Sequence, residues 1–319
     1  MNNILDRRIG VLLPRDLPAA HIIPFAEKAE QLGFDELWIV EDCFFRGGIA
    51  QAAVVLASTA SIHVGVGILP AAARNPAFAT LEIATLAELF PGRLTVGIGH
   101  GMPAWMRQVG AWPASPLTML DESVTAIKAL LDGETVTTAG RYVTLDDVVL
   151  ASPPVVVPPI LTGVRGPKSL ALSGRVADGT ILAEPVTPEY LAAAREQIAA
   201  TGDHRIVAYN MAAIDDDADA ARLAVRGALE WIGDPDWVPH ILPLPFAAEF
   251  AKLRADTSSR EEFGQQLPDE WVDALSLAGT PERVRARIAE LQDAGAHSVV
   301  LIPTSADPLA ELHALARVL

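Results

Sequence analysis

Four stretches of this chain carry side chains able to do chemistry. In GIGHGMPAWMRQVGAW, His100 stands between glycines, and Met102, Trp105, Met106 and Trp112 follow as an apolar cluster. An imidazole there can donate to a carbonyl or a ring heteroatom, and the rings can wall a cofactor or an apolar substrate. Equally, they can simply cover the end of a core. In LWIVEDCFFRGG, Glu41 and Asp42 are adjacent acids at the end of an apolar run. Buried acids need partners, and Arg46 or Arg74 can serve, either as site polarity or as an ion pair that holds the loop. In HVGVGILP, Gly65 and Gly67 interrupt a strand pattern, where glycine costs stability. Either a flat ring approaches the backbone, or the peptide is strained, or a crowded interior needs small residues. In TGVRGPKSL, Gly163 and Gly166 permit close backbone approach, and Pro167, Lys168 and Ser169 open a helix. Its outward N–H groups, with Arg165 and Lys168, form a cradle suited to phosphate.

Other chemistries find little support. There is no GxSxG elbow, no HExxH and no GxxxxGK[ST] loop, and the seven histidines are scattered. The single cysteine, Cys43, excludes an intramolecular disulfide and a cysteine-based zinc cluster, which fits a reducing, cytoplasmic setting. It has no evident base beside it and reads as a packing residue. The acids Asp215, Asp216, Asp217 and Asp219 precede a helix and suit its capping, not an EF-hand. No metal site is expected.

These residues must be positioned by an alternation of short β-branched runs and longer helical patterns. Strands are predicted at 9–13, 36–40, 62–68, 94–99, 160–162, 180–183, 206–213 and 298–302. Helices are predicted at 18–31, 48–59, 76–89, 116–131, 168–175, 188–200, 218–231, 281–294 and 308–318. A hairpin is expected over 136–143, an extended proline-rich stretch over 152–159, and an irregular loop around 101–112. Residues 234–275, rich in Trp, Pro and Phe, form an insertion between helix seven and strand eight, with helical pieces at 247–256 and 268–275. QLGFDELWIV and DAGAHSVVLI echo each other, each ending a helix at glycine and entering a buried strand. Eight βα units favour a closed α/β TIM barrel as a single domain over 1–319. An open doubly wound sheet competes, but LPRDLP follows the first strand where a GxGxxG turn would stand. In a barrel, all four stretches above lie at the C-terminal ends of strands, where function gathers.

Bulk composition agrees. With 319 residues, half of them hydrophobic and a fifth charged, the chain has ample material for a core. The formal net charge of −16 argues against a nucleic-acid or anionic-membrane surface. No apolar stretch is long enough to span a membrane, and the six-residue apolar run near the N-terminus does not read as a signal peptide.

Taken together, AEKAEQLGFDELWIVED, GVGILPAAARNP, ATLAELFPGRLTVGIGHG, LDESVTAIKALLDGE with GRYVTLDDVVL, RGPKSLALSGRVADGTIL and GTPERVRARIAELQDAGAHSVVLIP resemble the bacterial luciferase-like family. The resemblance runs over most of the chain in the right order. Within that family, GIGHGMPAWMRQVGA and TGVRGPKSLALSGRVADG look most like the coenzyme F420-dependent branch, which includes methylene-tetrahydromethanopterin reductase-like proteins. The resemblance implies a (β/α)8 oxidoreductase that transfers a hydride between F420 and a small organic substrate. FMN is the alternative cofactor, in an oxygen-using monooxygenase served by a separate reductase. A flavin-binding barrel without turnover is the further alternative, and a homodimer is implied. It also implies a non-prolyl cis peptide in a bulge at Gly65, Val66, Gly67 and Ile68, behind the ring. Gly163, Arg165, Gly166 and Lys168 would meet the phosphate, and Asp42, Arg74 and His100 would line the polar side. Met102, Trp105 and Trp112 would shape the substrate pocket. Two family positions differ: Glu41–Asp42 replaces an acid–His pair, and Arg74–Asn75–Pro76 replaces Arg–His–Pro, so two imidazoles are missing from the expected mouth.

Overall fold

A computed structural model describes residues 7–319. Its strands are β1 (Arg8–Leu12), β2 (Glu36–Ile39), β3 (His63–Pro70), β4 (Leu94–Gly99), β5 (Val136–Ala139), β6 (Thr144–Val148), β7 (Ile160–Gly163), β8 (Gly179–Leu182), β9 (Arg205–Ile214), β10 (Leu277–Gly279) and β11 (Ser298–Pro303). Eight of them close a parallel barrel in the order β11-β1-β2-β3-β4-β7-β8-β9, and β9 returns to pair with β11. Parallel barrel strands are covered on both faces. That is why β2, β4 and β8 are apolar-rich runs buried at every residue.

The helices between strands carry the expected start and stop signals. Pro76, Pro116, Pro167, Pro188, Pro281 and Pro308 each occupy a first helical position, where the missing N–H costs nothing. Gly33 ends helix Ile22–Leu32 in the left-handed region, at φ 94°, and the chain enters β2 three residues later.

Large and small residues complement each other inside the barrel. Leu12, Trp38, Leu161, Ile181, Val207, Tyr209 and Val300 fill it, with Val40, Ile68 and Ile302 partly buried above them. Trp38 is the largest fully buried side chain. A Cβ on Gly65, its neighbour on β3, would lie 2.3–2.5 Å from the indole. One on Gly97 would lie 2.4 Å from Ile181 Cδ1. The flat ring that Gly65 accommodates is therefore that of Trp38. At the opposite end from the mouth, the buried Glu36 carboxylate accepts from Trp38 Nε1 (2.7 Å), Ser298 Oγ (2.5 Å) and Arg8 Nη1 (3.0 Å). A charge in such a place is stable only when paired and hydrogen-bonded in this way.

Four local expectations change. β10 was not foreseen: it pairs in parallel with the upper end of β9, Leu277 opposite Ala212 and Gly279 opposite Ile214. The loop at 101–112 contains a short helix, Pro103–Gln108, opened by proline. The hairpin extends beyond 143, with Thr144–Val148 as its second strand. The helix predicted over 218–231 stops at Arg226, and a 3-10 segment, Ala228–Gly233, follows Gly227. That segment starts an irregular stretch whose helices are Val238–Ile241, Ala247–Asp256, Arg260–Gln266 and Asp269–Leu275. Leu229, Ile232, Ile241, Leu244, Phe250, Phe263, Leu267, Val272 and Leu275 form a second core there, joined to Val225 and Ala278. Phe250 meets Phe263 edge-on and Phe246 stacks on Trp271, so the aromatic richness of this stretch goes largely into packing.

Candidate active site

The C-terminal ends of the barrel strands bring the four stretches around one mouth. Its floor is the end of β3. The β3–β4 register shifts between Val66, opposite Val96, and Leu69, opposite Ile98. Within that bulge the Gly67–Ile68 peptide is cis. Gly67 and Ile68 are half-buried, whereas Gly65 and Val66 lie below them in the core. The Ile68 side chain leans across the floor: a Cβ on Gly163 would lie 2.3 Å from its Cγ2, and one on Gly99 2.9 Å from its Cδ1. A Cβ on Gly67 would lie 2.4 Å from Tyr209 Oη, a buried hydroxyl with no hydrogen-bond partner.

On the side of β7, Gly163 leads into Val164, Arg165 and Gly166. Gly166 adopts φ +88°, a Cβ there would meet nothing within 4 Å, and it precedes helix Pro167–Val176 without a side-chain cap. The first-turn N–H groups of Lys168 and Ser169 have no partner within the helix. Lys168 is exposed, and Ser169 Oγ lies 3.1 Å from His100 Nε2. Burial holds the His100 imidazole below its ordinary range, against the opposing pull of the Pro116 carbonyl, so the ring is neutral. Arg165 lies over the Trp237 ring, 4.8 Å from its centroid, and donates to the Asp236 carbonyl (3.3 Å).

On the side of β2 and β3, the acids and arginines are paired. Arg74 grips Glu41 with two bonds (2.5 and 2.7 Å) and also lies 3.4 Å from Glu82. Glu41 Oε2 further accepts from Gly48 N (2.6 Å). The Glu41 bonds raise the Arg74 pKa further, over the opposing effect of burial. Asp42 pairs with Arg15 (2.7 Å), whose guanidinium lies over Phe45. Arg46 donates to the Arg15 carbonyl instead of to an acid. Asn75, where the family pattern has an imidazole, caps helix Pro76–Leu89 by accepting from Ala77 N (2.9 Å). Burial, with Glu41 and Asp42 beside it, raises the Cys43 thiol pKa, and the thiol stays protonated. Met102, Trp105 and Trp112 stand half-buried on and around the short helix, and Arg107 covers Trp112. Met106, between them, is fully buried.

The chain matches the family described as luciferase-like monooxygenase over residues 7–298. It belongs to that family. Among curated luciferase-like relatives, it is 33% identical to a 5,10-methylenetetrahydromethanopterin reductase of Methanolobus tindarius, over 90% of this chain and 91% of the relative. The counterpart from Archaeoglobus fulgidus is 29% identical over 92% of each chain. Among solved structures, the coenzyme F420-dependent tetrahydromethanopterin reductase of Methanopyrus kandleri superposes with a TM-score of 0.80 at 25% identity, covering 96% of each chain. This member of the family therefore stands in its methylenetetrahydromethanopterin reductase-like branch.

Sequence reasoning gave no role to three residues at this mouth. Ser169 was visible as a polar residue in a helix's first turn, but not as the partner of His100. Tyr209 occupies an inward position of β9, alternating with Val207, and only the fold shows its hydroxyl beneath Gly67. Glu184 follows β8, and the one signal was an acid at a strand end before proline. Burial pushes its carboxyl pKa up, with Arg165 opposing. Among the described residues, no group of three or more His, Cys, Asp or Glu is placed to hold a metal ion. Among the described residues, no helix is long and apolar enough to cross a membrane.

Proposed function

We propose that this protein transfers a hydride between a bound deazaflavin, coenzyme F420, and a small organic substrate. The chain is an oxidoreductase of the F420- or flavin-dependent class. The observation that carries the assignment of the seat is the uncapped start of helix Pro167–Val176. Gly166, the free N–H groups of Lys168 and Ser169, the Lys168 ammonium and Arg165 together suit a phosphate. Beside it, the half-buried Gly67–Ile68 bulge presents backbone and one aliphatic side chain to the mouth, as a flat ring requires. Tyr209 Oη, orphaned and buried next to Gly67, is a polar group left for such a ring to face. The residues present therefore fit a phosphorylated tricyclic cofactor, which when bound supplies the hydride chemistry.

The protein's part is placement and shielding. Gly67 and Ile68 back the ring, and Gly65 and Val66 support them from the core. Gly163, Arg165, Gly166 and Lys168 hold the phosphate. Neutral His100, kept in place by Ser169, offers a hydrogen bond at the rim of the site. Asp42, tied to Arg15, sets the local charge. Arg74 acts through the loop it ties to Glu41. Met102, Trp105 and Trp112 exclude water on the substrate side. The chain also self-associates in this reading. Phe78, Leu81 and Leu89 on helix Pro76–Leu89 and Val54 on helix Gly48–Ser58 are exposed apolar residues of neighbouring helices, as an interface needs.

The test is a binding titration with F420, FMN and FAD, read by absorbance and fluorescence. Anaerobic oxidation of reduced F420 in the presence of methylenetetrahydromethanopterin and small carbonyl compounds follows. Tight F420 binding and oxygen-independent turnover are expected. Tight FMN binding with oxygen-dependent turnover would instead assign monooxygenase chemistry fed by a separate reductase. Binding of none of the three would refute the assignment.

A further inference from the structure

Three carboxyl groups stand at the strand ends around the mouth, and two are occupied. Glu41 accepts three bonds from Arg74 and Gly48, and Asp42 is paired with Arg15. Among the described residues, the Glu184 carboxyl makes no ion pair and no hydrogen bond with another residue; it accepts from its own backbone N–H.

Its backbone is nevertheless held residue by residue. Trp237 Nε1 donates to the Glu184 carbonyl (3.0 Å), and His240 Nδ1 lies 3.1 Å from the Pro185 carbonyl. Asn210 closes a two-way pair with Val186, accepting from its N–H (2.9 Å) and donating to its carbonyl (3.1 Å). The irregular stretch after Gly227 and strand β9 thus fix the point from which this side chain leaves β8. A carboxyl with no partner on any other residue, on an immobile base at a strand end of the mouth, is what proton transfer to a bound substrate requires.

The charges around it do not neutralise it. Arg165, from the loop after β7, pulls the Glu184 pKa down less than burial pushes it up, and it lies over the Trp237 ring while donating to the Asp236 carbonyl. Arg15, after β1, is spent on Asp42, whose own negative charge disfavours a second one at Glu184. Tyr209 on β9 stands below, and both Asp42 and Glu184 help to keep its phenol protonated. Tyr190 and His240 lie behind, stacked at 4.2 Å, and the imidazole is kept neutral by burial. His100, the other candidate acid, meets Ser169 through Nε2, has a buried Nδ1 without a hydrogen-bond partner, and is uncharged.

We propose that Glu184 is the proton donor and acceptor of this site, acting directly on the heteroatom of the bound substrate. This rests on the hydride-transfer function above. In the reducing direction, the substrate carbon gains a hydride with its two electrons from the reduced cofactor. The adjacent heteroatom takes the Glu184 proton, and the carboxylate left behind is reprotonated from solvent. The substrate gains two electrons and two hydrogens, the cofactor loses two electrons, and the reverse reaction returns the proton to the carboxylate. Burial, which already raises the Glu184 pKa, keeps the acid form available where ordinary glutamates have ionised.

Glu184→Gln keeps the shape and removes the proton. Infrared titration of the whole protein, with and without F420, is expected to show a protonated carboxyl band that persists to higher pH than that of an ordinary glutamate, whose pKa is about 4.3. Glu184→Gln should abolish that band while F420 affinity and circular dichroism stay unchanged. With methylenetetrahydromethanopterin or acetone as probe, kcat/KM for reduction should fall as pH rises through the Glu184 pKa. The variant should lose that limb together with about 10²–10⁴-fold of rate. Trp237→Phe, which frees the Glu184 carbonyl, should lower kcat and leave F420 affinity in place. Absence of the band in wild type, or turnover of Glu184→Gln within threefold of wild type, overturns the proposal. Failure of wild type to bind F420 or FMN overturns the hydride-transfer function instead, and the infrared arm reads out either way.

Discussion

Replacing Gly65 by alanine separates two reasons for a glycine inside β3. The new Cβ would lie 2.3, 2.4 and 2.5 Å from three carbons of the Trp38 indole, so ordinary contact at 3.4 Å is missed by about 1.1 Å (3.4 − 2.3). The indole has little room to yield. It is 1% exposed, its Nε1 is tied to Glu36 at 2.7 Å, and its edge meets Tyr209 at a centroid distance of 5.7 Å. Overpacking of this kind costs about 1–3 kcal/mol. Displacing the indole from Glu36 leaves a buried acceptor short of a donor, which adds about 1–3 kcal/mol. A total of about 2–6 kcal/mol is expected. With an unfolding entropy of about 2.1 cal/mol/K per residue over 319 residues, that lowers the melting midpoint by roughly 3–9 °C. Calorimetry of Gly65→Ala against Gly202→Ala, whose Cβ would meet nothing within 4 Å, is the assay. The control should stay within about 0.5 kcal/mol of wild type. A Gly65→Ala protein with an unchanged midpoint and weakened F420 binding would refute the packing argument. Gly65 would then serve the cofactor ring and not the indole.

Arg74→Ala should leave the Glu41 carboxylate with only the Gly48 N–H; the pair is partly exposed, so a loss of about 1–3 kcal/mol in urea unfolding is expected, with Arg74→Lys recovering only part of it. His240 and His63 are held by burial at about 3 and about 4, below their ordinary 6.5. The unfolded chain therefore binds their protons first, and stability is complete above about pH 6.5. It falls as the pH drops below that, by at most about 1.4 kcal/mol per pH unit for each ring, which urea midpoints between pH 7 and 5 will show. Lys168→Ala should weaken FMN or F420 binding about 3–10-fold and leave riboflavin, which lacks the phosphate, unaffected in a fluorescence titration; equal loss for both ligands would place the phosphate elsewhere.

The barrel was legible because its signals are local. Buried runs such as ELWI and LTVGIG, prolines at helix starts and the glycine before β2 each announce an element within a few residues. The site was legible in residue types and strand ends, but not in pairings. Glu41 and two arginines were in view, and only the fold decides that Arg74 takes the acid while Arg46 turns to a carbonyl. The glycines of β3 left open a ring near the backbone, a strained peptide or a crowded interior. Naming the ring as that of Trp38 required the neighbouring strand, because the indole projects across the barrel from β2. β10 escaped because three residues, LAG, are too few to display a period, and its pairing to β9 is long-range. Glu184 escaped because an acid before a proline at a strand end is common, and its value lies in the partners it lacks.

The stretch from Gly227 to Leu275 reaches the mouth through two donors, Trp237 and His240, while its weight rests on Phe250, Phe263 and their neighbours away from the barrel axis. Catalytic floor and substrate wall are thus answerable to different foundations. Under the proposed function, repacking the outlying foundation is expected to shift the backbone of Glu184 and Pro185 and to leave the floor of Gly67 and Ile68 in place. A lineage carrying this architecture can therefore drift in what it accepts through changes far from any reacting atom, while the redox half of the reaction is inherited intact.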